Sequence, residues 1–275
     1  MKGSMLAVDI GMTNIDIILE TEGELVMQML PNKHKHADDQ LKQALDVVKD
    51  YLSPEIVIGV TGGRYRNLPD KVLDYEIAKV DEIQALGSGG LALSGLESGL
   101  VVSGGTGVAM VSASGMDVKH VTGSAVGGGT LLALSKLILG TTDVQEIDVL
   151  ASAGDASAVD IMLSEAVGGK VGLLPSNANA VNLGKLDREN GFTRENLAAG
   201  LVRLVAQVIA VIAINAANAS DQDAIIMVGH LMDLKSIRRE IDLVGEFYRR
   251  EFIIPENPGF GSAMGVLLVL RTLKK

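Results

Sequence analysis

The sequence of 275 residues contains no cysteine and no tryptophan, and only 3% of it is aromatic. Without thiols there is no disulfide, no cysteine-ligated zinc, no iron–sulfur cluster and no thiol nucleophile, a composition that fits a reducing compartment. Four histidines leave little for a metal site built on imidazole. Positive charge is also scarce: 24 basic against 34 acidic side chains give a net charge of -10, which repels phosphate backbones and anionic lipid and argues against general nucleic-acid or membrane-surface binding. No long apolar run is uninterrupted. Met5 to Val8 stops at Asp9, short of a secretory h-region, and the most hydrophobic region, Leu201 to Ala219, is broken by Arg203, Gln207, Asn215 and Asn218. A cytoplasmic chain is expected, with the helix from about Glu195 to Ala219 apolar enough on most sides for a deep core or a dimer interface.

What is present is aliphatic. Hydrophobic residues make up 47% of the chain and charged residues 21%, and the length allows one large domain or two modest ones. Three β-rich runs come first, MLAVDI (5–10), IDIILE (15–20) and ELVMQML (24–30), joined by turns as in an antiparallel meander. A helical period runs from Asp38 to Tyr51, and Pro54 stops it before the strand EIVIGV. The order recurs with LVVSG (100–104), VAMVSA (108–113) and DVKHVTG (117–123), a glycine-rich helix entry, a long helix through Ile214 and the strand AIIMV (224–228). A helix from about Leu231 to Val244, the strand EFIIP and a helix after Gly259 complete it. Two unequal βββαβα units predict a two-domain α/β protein, residues 1–95 and 96–275, with a cleft between the halves and a helical insert in the second.

Several segments could carry chemistry. In DIGMTN, Asp9 ends an apolar strand and Gly11, Thr13 and Asn14 follow in a turn, so backbone N–H groups and a hydroxyl lie beside a carboxylate able to hold Mg²⁺ through water. An ordinary hairpin with a turn-capping Asp has the same pattern. SGGTG repeats it with Gly104, Gly105, Thr106 and Gly107, small enough for close approach of a phosphate or simply a glycine-rich hairpin. Gly127, Gly128 and Gly129 open a helix whose free N–H groups form an anion site, the alternative being tight packing against a neighbour. Asp81 and Glu82 stand at a strand-to-helix junction, where either caps the helix or acts as a general base toward an acceptor hydroxyl. In MVGHL a strand runs into Gly229, a shape that can rest against an adenine ring, with His230 either touching a ligand or simply occupying the turn. His34 and His36 read as part of a solvated basic loop.

Together these segments resemble those of the acetate kinase, sugar kinase, Hsp70 and actin superfamily, and within it the type II pantothenate kinases. DIGMTN stands in the phosphate-1 position, SGGTG in the phosphate-2 position, and DEIQ matches the family's Asp-Glu-Leu-Asp-like segment. VTGSAVGGGTLLALSKLILG is similar to its most distinctive stretch, GDASAVDIMLSEAVGG and LPSNANAVNLGKL to its middle, and NPGFGSAMGVLLVL to its C-terminal helix. The resemblance implies two ribonuclease H-like domains of the actin-like ATPase fold. It also implies an ATP- and Mg²⁺-dependent homodimer that phosphorylates the primary hydroxyl of pantothenate, the first step of coenzyme A biosynthesis. On it, Glu82 receives or orients the acceptor proton and Asp9 sits in the Mg²⁺ environment. Gly11, Thr13, Gly105, Thr106 and Gly107 surround the ATP phosphates, Gly229 lies near adenosine, and His120, Gly123 and Ser124 belong to the acceptor side.

Two positions depart from the family's pattern. Asp16 stands where a basic residue contacts phosphate in the first motif, beside Gly11-Met12 in place of Gly-Gly, and His120 stands where an Arg precedes the VTG segment. Phosphoryl transfer depends on positioning and electrostatic stabilisation, so two lost cations matter. Three outcomes follow: phosphate charge handled by Mg²⁺, Lys119 and backbone amides; a different acceptor, such as an amino sugar; or nucleotide binding without efficient transfer, as in an ATP-driven activator of a partner enzyme.

Overall fold

The first two strands read as near-continuous apolar runs because both faces of the sheet they build are covered. In the computed structural model, which describes residues 4–273, these are β1 (Met5–Ile10) and β2 (Asn14–Thr21), followed by β3 (Glu24–Pro31) and α1 (Ala37–Val47). The strand β4 (Val57–Thr61) returns parallel to β1, and β6 (Tyr75–Lys79) lies parallel to β4 with the short β5 (Lys71–Val72) outside it, giving the order 3-2-1-4-6-5. Helix α2 (Glu82–Ser94) leads to the antiparallel β7 (Ser98–Gly104), β8 (Val108–Ser114) and β9 (Asp117–Ser124). The helical insert comprises α3 (Gly128–Ile138), α4 (Val144–Ala153) and the paired β10 (Ile161–Met162) and β11 (Asn179–Val181), with α5 (Leu163–Ala166) between those two strands. The long α6 (Arg194–Ala219) precedes β12 (Ile225–Val228), which is parallel to β7. After α7 (Lys235–Tyr248), β13 (Phe252–Ile253) adds parallel to β12, and α8 (Gly261–Leu273) ends the described chain. The order 13-12-7-8-9 repeats 6-4-1-2-3, so the duplication expected from element order is present in both sheets.

Side-chain alternation decides what faces the middle of the molecule. Leu6, Val8 and Ile10 of β1 and Ile15, Ile17 and Leu19 of β2 pack toward α1 with Leu41 and Leu45. The intervening Met5, Ala7 and Ile18 point the other way, against Val266, Leu267 and Leu270 of α8. The same period sends Asp9 and Asp16 to the α8 side, where the register sets Asp9 opposite Asp16 on β2 and beside Thr61 on β4.

Helix α6 is long and apolar enough to cross a membrane by length and composition, and most of that apolar window is buried inside the fold. Leu201, Val202, Val205 and Ile209 lie in the core of the second half. Its part-buried Arg203 donates to Glu240 at 2.8 Å and to Asp160 at 3.3 Å, which satisfies two buried carboxylates at once.

Helices α2 and α8 cross between the sheets with their backbones in contact. A Cβ on Gly89 would lie 1.8 Å from the carbonyl oxygen of Gly261, and one on Gly265 would lie 1.8 Å from that of Ala85. Although α2 follows the first sheet in sequence, its Leu86 and Leu91 pack against Val101, Val111 and Ile226 of the second. The reverse holds for α8, so two helices are exchanged across the division expected after residue 95.

Candidate functional site

The turn after β1 is narrow because its backbone folds back on itself: a Cβ on Gly11 would lie 2.8 Å from the carbonyl oxygen of Asn14. Asn32, just past β3, fastens the turn through its side-chain amide to Gly11 O (2.7 Å) and its backbone N–H to Thr13 O (2.8 Å). The turn after β7 is held by the N–H of Gly105 donating to Gly107 O at 3.0 Å. The Thr13 and Thr106 hydroxyls lie 3.0 Å apart, so turns from two different sheets meet.

The glycine triplet braces the second turn. The N–H groups of Gly128 and Gly129 donate to the carbonyls of Gly105 (2.8 Å) and Thr106 (2.9 Å), and a Cβ on Gly127 would press within 2.9 Å of Thr106 O. The expected free amides at this helix start are therefore engaged by the turn itself, whose carbonyls reach Gly128 and Gly129 first. Gly229 adds a second brace: its φ of 92° is left-handed, and a Cβ there would lie 2.6 Å from Gly104 O, so the ends of β12 and β7 are pressed together.

Behind the turns stands a row of polar side chains on β2, β1 and β4: Asp16, Asp9 and Thr61. Burial, then the charges of Asp16 and Glu82, push the Asp9 carboxyl up to about 7, against a hydrogen bond from Ser262 and the charge of His230. Thr61 is fully buried, and its hydroxyl has no partner among the described residues. Gly62 closes this corner, because a Cβ at its φ of 104° would lie 2.7 Å from the Asp9 carboxylate and nearer still to Ile10 O.

The junction at residues 81 and 82 separates two roles that the sequence left open. Asp81 is the N-cap of α2 and accepts from the N–H groups of Ile83 (3.0 Å) and Gln84 (3.2 Å), as well as from the Tyr65 hydroxyl (3.2 Å) and Arg66 (3.4 Å). Glu82, in the first turn, makes no such bond. Partial burial and the neighbouring Asp81 raise its pKa, while Arg66 pulls it down.

His230, expected to touch a ligand or simply occupy its turn, instead bridges two carboxylates. Its Nε2 lies 2.8 Å from Asp16 and its Nδ1 2.7 Å from Asp233. Burial opposes its charge, but the hydrogen bonds and charges of Asp16 and Asp233 outweigh burial and push the imidazole up to about 10. The acceptor-side residues lie on the edge strand β9. His120 is exposed there on the same face as Val118, whose side chain meets α2 at Gly87. Gly123 lies close against β8, since a Cβ would sit 2.5 Å from Val108 O, and the Ser124 hydroxyl accepts from the N–H of Val126 at 3.0 Å. Lys119 pairs with Asp117 at 3.1 Å in solvent. His34 and His36 are exposed, as a solvated loop requires.

Sequence reasoning missed Thr61, Arg66, Ser262 and the partners of His230. Only the TGGR run after β4 carried a signal, because two glycines at a strand end mark a tight turn beside whatever the strand end presents.

The residues fit a nucleotide and a divalent cation. Glycine at positions 11, 105 and 107 keeps two turns small, and their Thr hydroxyls converge. Asp9 is a carboxyl crowded by two other acidic side chains and adjoins an orphaned Thr61 hydroxyl, a setting that one divalent ion with its waters would relieve.

Comparison with solved structures finds the fold in the Acidaminococcus fermentans (R)-2-hydroxyglutaryl-CoA dehydratase component A, with a TM-score of 0.69, 16% identity and 99% of both chains covered. A ROK family glucokinase from Streptomyces griseus, solved with glucose and AMPPNP, matches with a TM-score of 0.60 and 13% identity over 98% of this chain and 100% of its own. At these identities the likeness shows the fold alone: two domains of the actin-like ATPase type. In sequence, the type II pantothenate kinase of Oceanobacillus iheyensis is 22% identical over 270 residues, 96% of this chain and 98% of that protein. The type II pantothenate kinase of Bacillus thuringiensis subsp. konkukian is 24% identical over 234 residues, 81% of this chain and 85% of its own length. The Fumble family model matches residues 99–268, from the second sheet through most of α8, and this chain belongs to the Fumble family.

Proposed function

We propose that this chain is an ATP-dependent small-molecule kinase that transfers the γ-phosphoryl group to a primary hydroxyl, with pantothenate as its acceptor. The observation that carries this reading is the meeting of Thr13 and Thr106, which brings two glycine turns from opposite sheets to one point with Asp9 and Glu82 beside them. The names of the sequence relatives support the acceptor. Residues 1–95 contribute the first turn, Asp9 and Glu82, and residues 96–275 contribute the second turn, its brace at residues 127–129 and the Gly229 turn against adenosine.

Glu82 receives the proton of the acceptor hydroxyl as that oxygen bonds to the γ-phosphorus and the bond to the β,γ-bridging oxygen breaks, leaving ADP. Its raised pKa suits proton acceptance, and Asp81 keeps it free by capping the helix in its place. Asp9, acting through water beside Thr61, would hold Mg²⁺, which neutralises charge developing on phosphate oxygens. Amides of the two turns bind phosphate, and His120, Gly123 and Ser124 border the acceptor. The chain acts in the cytoplasm as a homodimer, joined along the half-exposed stripe of Leu204, Val208 and Val211 on α6.

A second reading is favoured by one observation. Asp16 is occupied by His230, so the first turn lacks the cation that the family pattern has there, and the slower phosphoryl transfer that follows suits an ATPase whose nucleotide state drives a partner protein. A coupled ADP-release assay over a panel of hydroxylated acceptors separates the two. ADP release that requires pantothenate supports the kinase; equal release without any acceptor supports the ATPase and overturns the kinase.

A further inference from the structure

The two halves touch through side chains at the front of the cleft, where Thr13 meets Thr106, and at its back, where Asp16 of β2 meets His230 beyond β12. The two contacts differ in kind. The front one joins two exposed hydroxyls, whereas Asp16 is only 5% exposed and binds an imidazole whose other nitrogen is held by Asp233. The ring has no freedom to turn away. A Cβ on Gly259 would lie within 2.2–2.8 Å of three of its atoms, and Phe260 meets it edge-on at 6.1 Å with 72° between the planes. Glycine at position 259 is thus required by the ring above it.

From His230 the contact continues to the phosphate turn without a gap. The preceding Gly229 donates its N–H to Pro258 O at 2.7 Å and abuts the backbone of Gly104, which is followed directly by Gly105 and Thr106. On the other side Asp16 lies opposite Asp9 in the β1–β2 register, two residues before Gly11. The connections Asp9, Asp16, His230, Gly229, Gly104, Thr106 and Thr13 close a ring around the cleft. The front link must part for a triphosphate to sit between the turns, and the rear link then remains as the side-chain tie between β2 and the Gly229 turn, while the packing of α2 on α8 joins the halves farther from the turns.

We propose that His230 is a positioning residue for the nucleotide site: by bridging Asp16 and Asp233 it ties the Gly229 turn of the second half to β2 of the first and so sets the separation of the two glycine turns. Asp16, where the family pattern has a phosphate-contacting cation, serves this tie instead. The proposal rests on the reading of the cleft as a nucleotide site.

A double-mutant cycle tests it by calorimetric titration with Mg²⁺ and AMPPNP, which needs no acceptor and no phosphoryl transfer. Asp16→Asn and His230→Gln are each expected to raise the dissociation constant about tenfold, and the double variant to bind no more weakly than the weaker single, because all three break one link. Turnover at saturating nucleotide should fall less than affinity, as expected of a residue that acts by position. Unchanged affinity in both singles, or losses that multiply in the double, overturns the assignment even where melting temperatures fall. If a single variant does not fold, the double variant, in which the contact between positions 16 and 230 has no charged member, carries the test: wild-type affinity in it overturns the proposal, and a tenfold loss upholds it. Failure of the wild-type chain to bind AMPPNP overturns the nucleotide reading and this proposal together, whereas binding by wild type with unaltered variants overturns this proposal alone.

Discussion

Replacing Thr13 and Thr106 together by cysteine would staple the two glycine turns. Because the chain has no cysteine of its own, oxidation can form only this one intramolecular disulfide. The hydroxyl oxygens are 3.0 Å apart, which places the Cβ atoms about 4–5.5 Å from each other against a typical disulfide value of about 3.8 Å. A closure of about 1 Å by two exposed turns suffices. The residues are 93 apart in sequence, and a loop of that length predicts up to about 4–5 kcal/mol of stabilisation by chain entropy, with about 2–4 kcal/mol usual in practice. For a protein of this size that corresponds to a melting temperature about 5–15 °C higher in the oxidised form. Oxidation should also abolish binding of Mg²⁺ and AMPPNP in calorimetry, reversibly on reduction with dithiothreitol, and saturating nucleotide present beforehand should slow the oxidation. If the oxidised protein, shown by mass to be fully bridged, binds nucleotide as tightly as the reduced one, the phosphates do not lie between these turns and the proposed function loses its main support.

Other perturbations probe the remaining parts of the site and frame. Folded Asp9 holds its proton up to about pH 7 while the unfolded group releases it near 3.8, so the native state binds more protons between these values and this group's contribution to stability declines as pH rises through that window. Asp9→Asn should therefore gain on wild type in urea denaturation as pH is raised from about 5 to 8, with a constant difference refuting the buried-carboxylate account. Glu82→Gln should keep folding and AMPPNP binding yet slow ADP release by about two orders of magnitude or more, and unchanged turnover removes Glu82 as the base. Arg203→Ala leaves buried Asp160 without its cation and Glu240 with only Arg239 at 3.7 Å, and should cost about 3–5 kcal/mol in denaturant titration, a loss under about 1 kcal/mol showing that the triad is dispensable. Light scattering should give twice 28.8 kDa for wild type, and a monomer mass would dismiss the α6 stripe as an interface.

The two-sheet architecture was legible because strand order and turn spacing are local properties, repeated in both halves. So were the turns at residues 11–13 and 105–107, since glycine and threonine after an apolar strand require only nearest neighbours to be read. The service of residues 127–129 was not, because free and engaged amides have the same sequence, and only the position of Gly105 and Thr106 carbonyls distinguishes them. His230 was the hardest case. Its partner Asp16 is 214 residues away, and nothing in a single histidine after a Val-Gly pair specifies a carboxylate from another sheet. The division after residue 95 marks a change of sheet in sequence, but helix exchange depends on which face each strand leaves bare.

That exchange bears on how the chain can fold as it is made. The α8 face of β1 is covered by residues 261–273, and Arg271 reaches back to Glu20 across 251 positions at 2.8 Å. During synthesis, Met5, Ala7 and Ile18 must therefore wait for their α8 cover until residues 261–273 have been extruded, while the second sheet obtains α2 earlier. The first sheet, translated before the second, is thus sealed after it, and the interval exposes it to chaperones or to aggregation in proportion to the time the ribosome needs to reach residues 261–273.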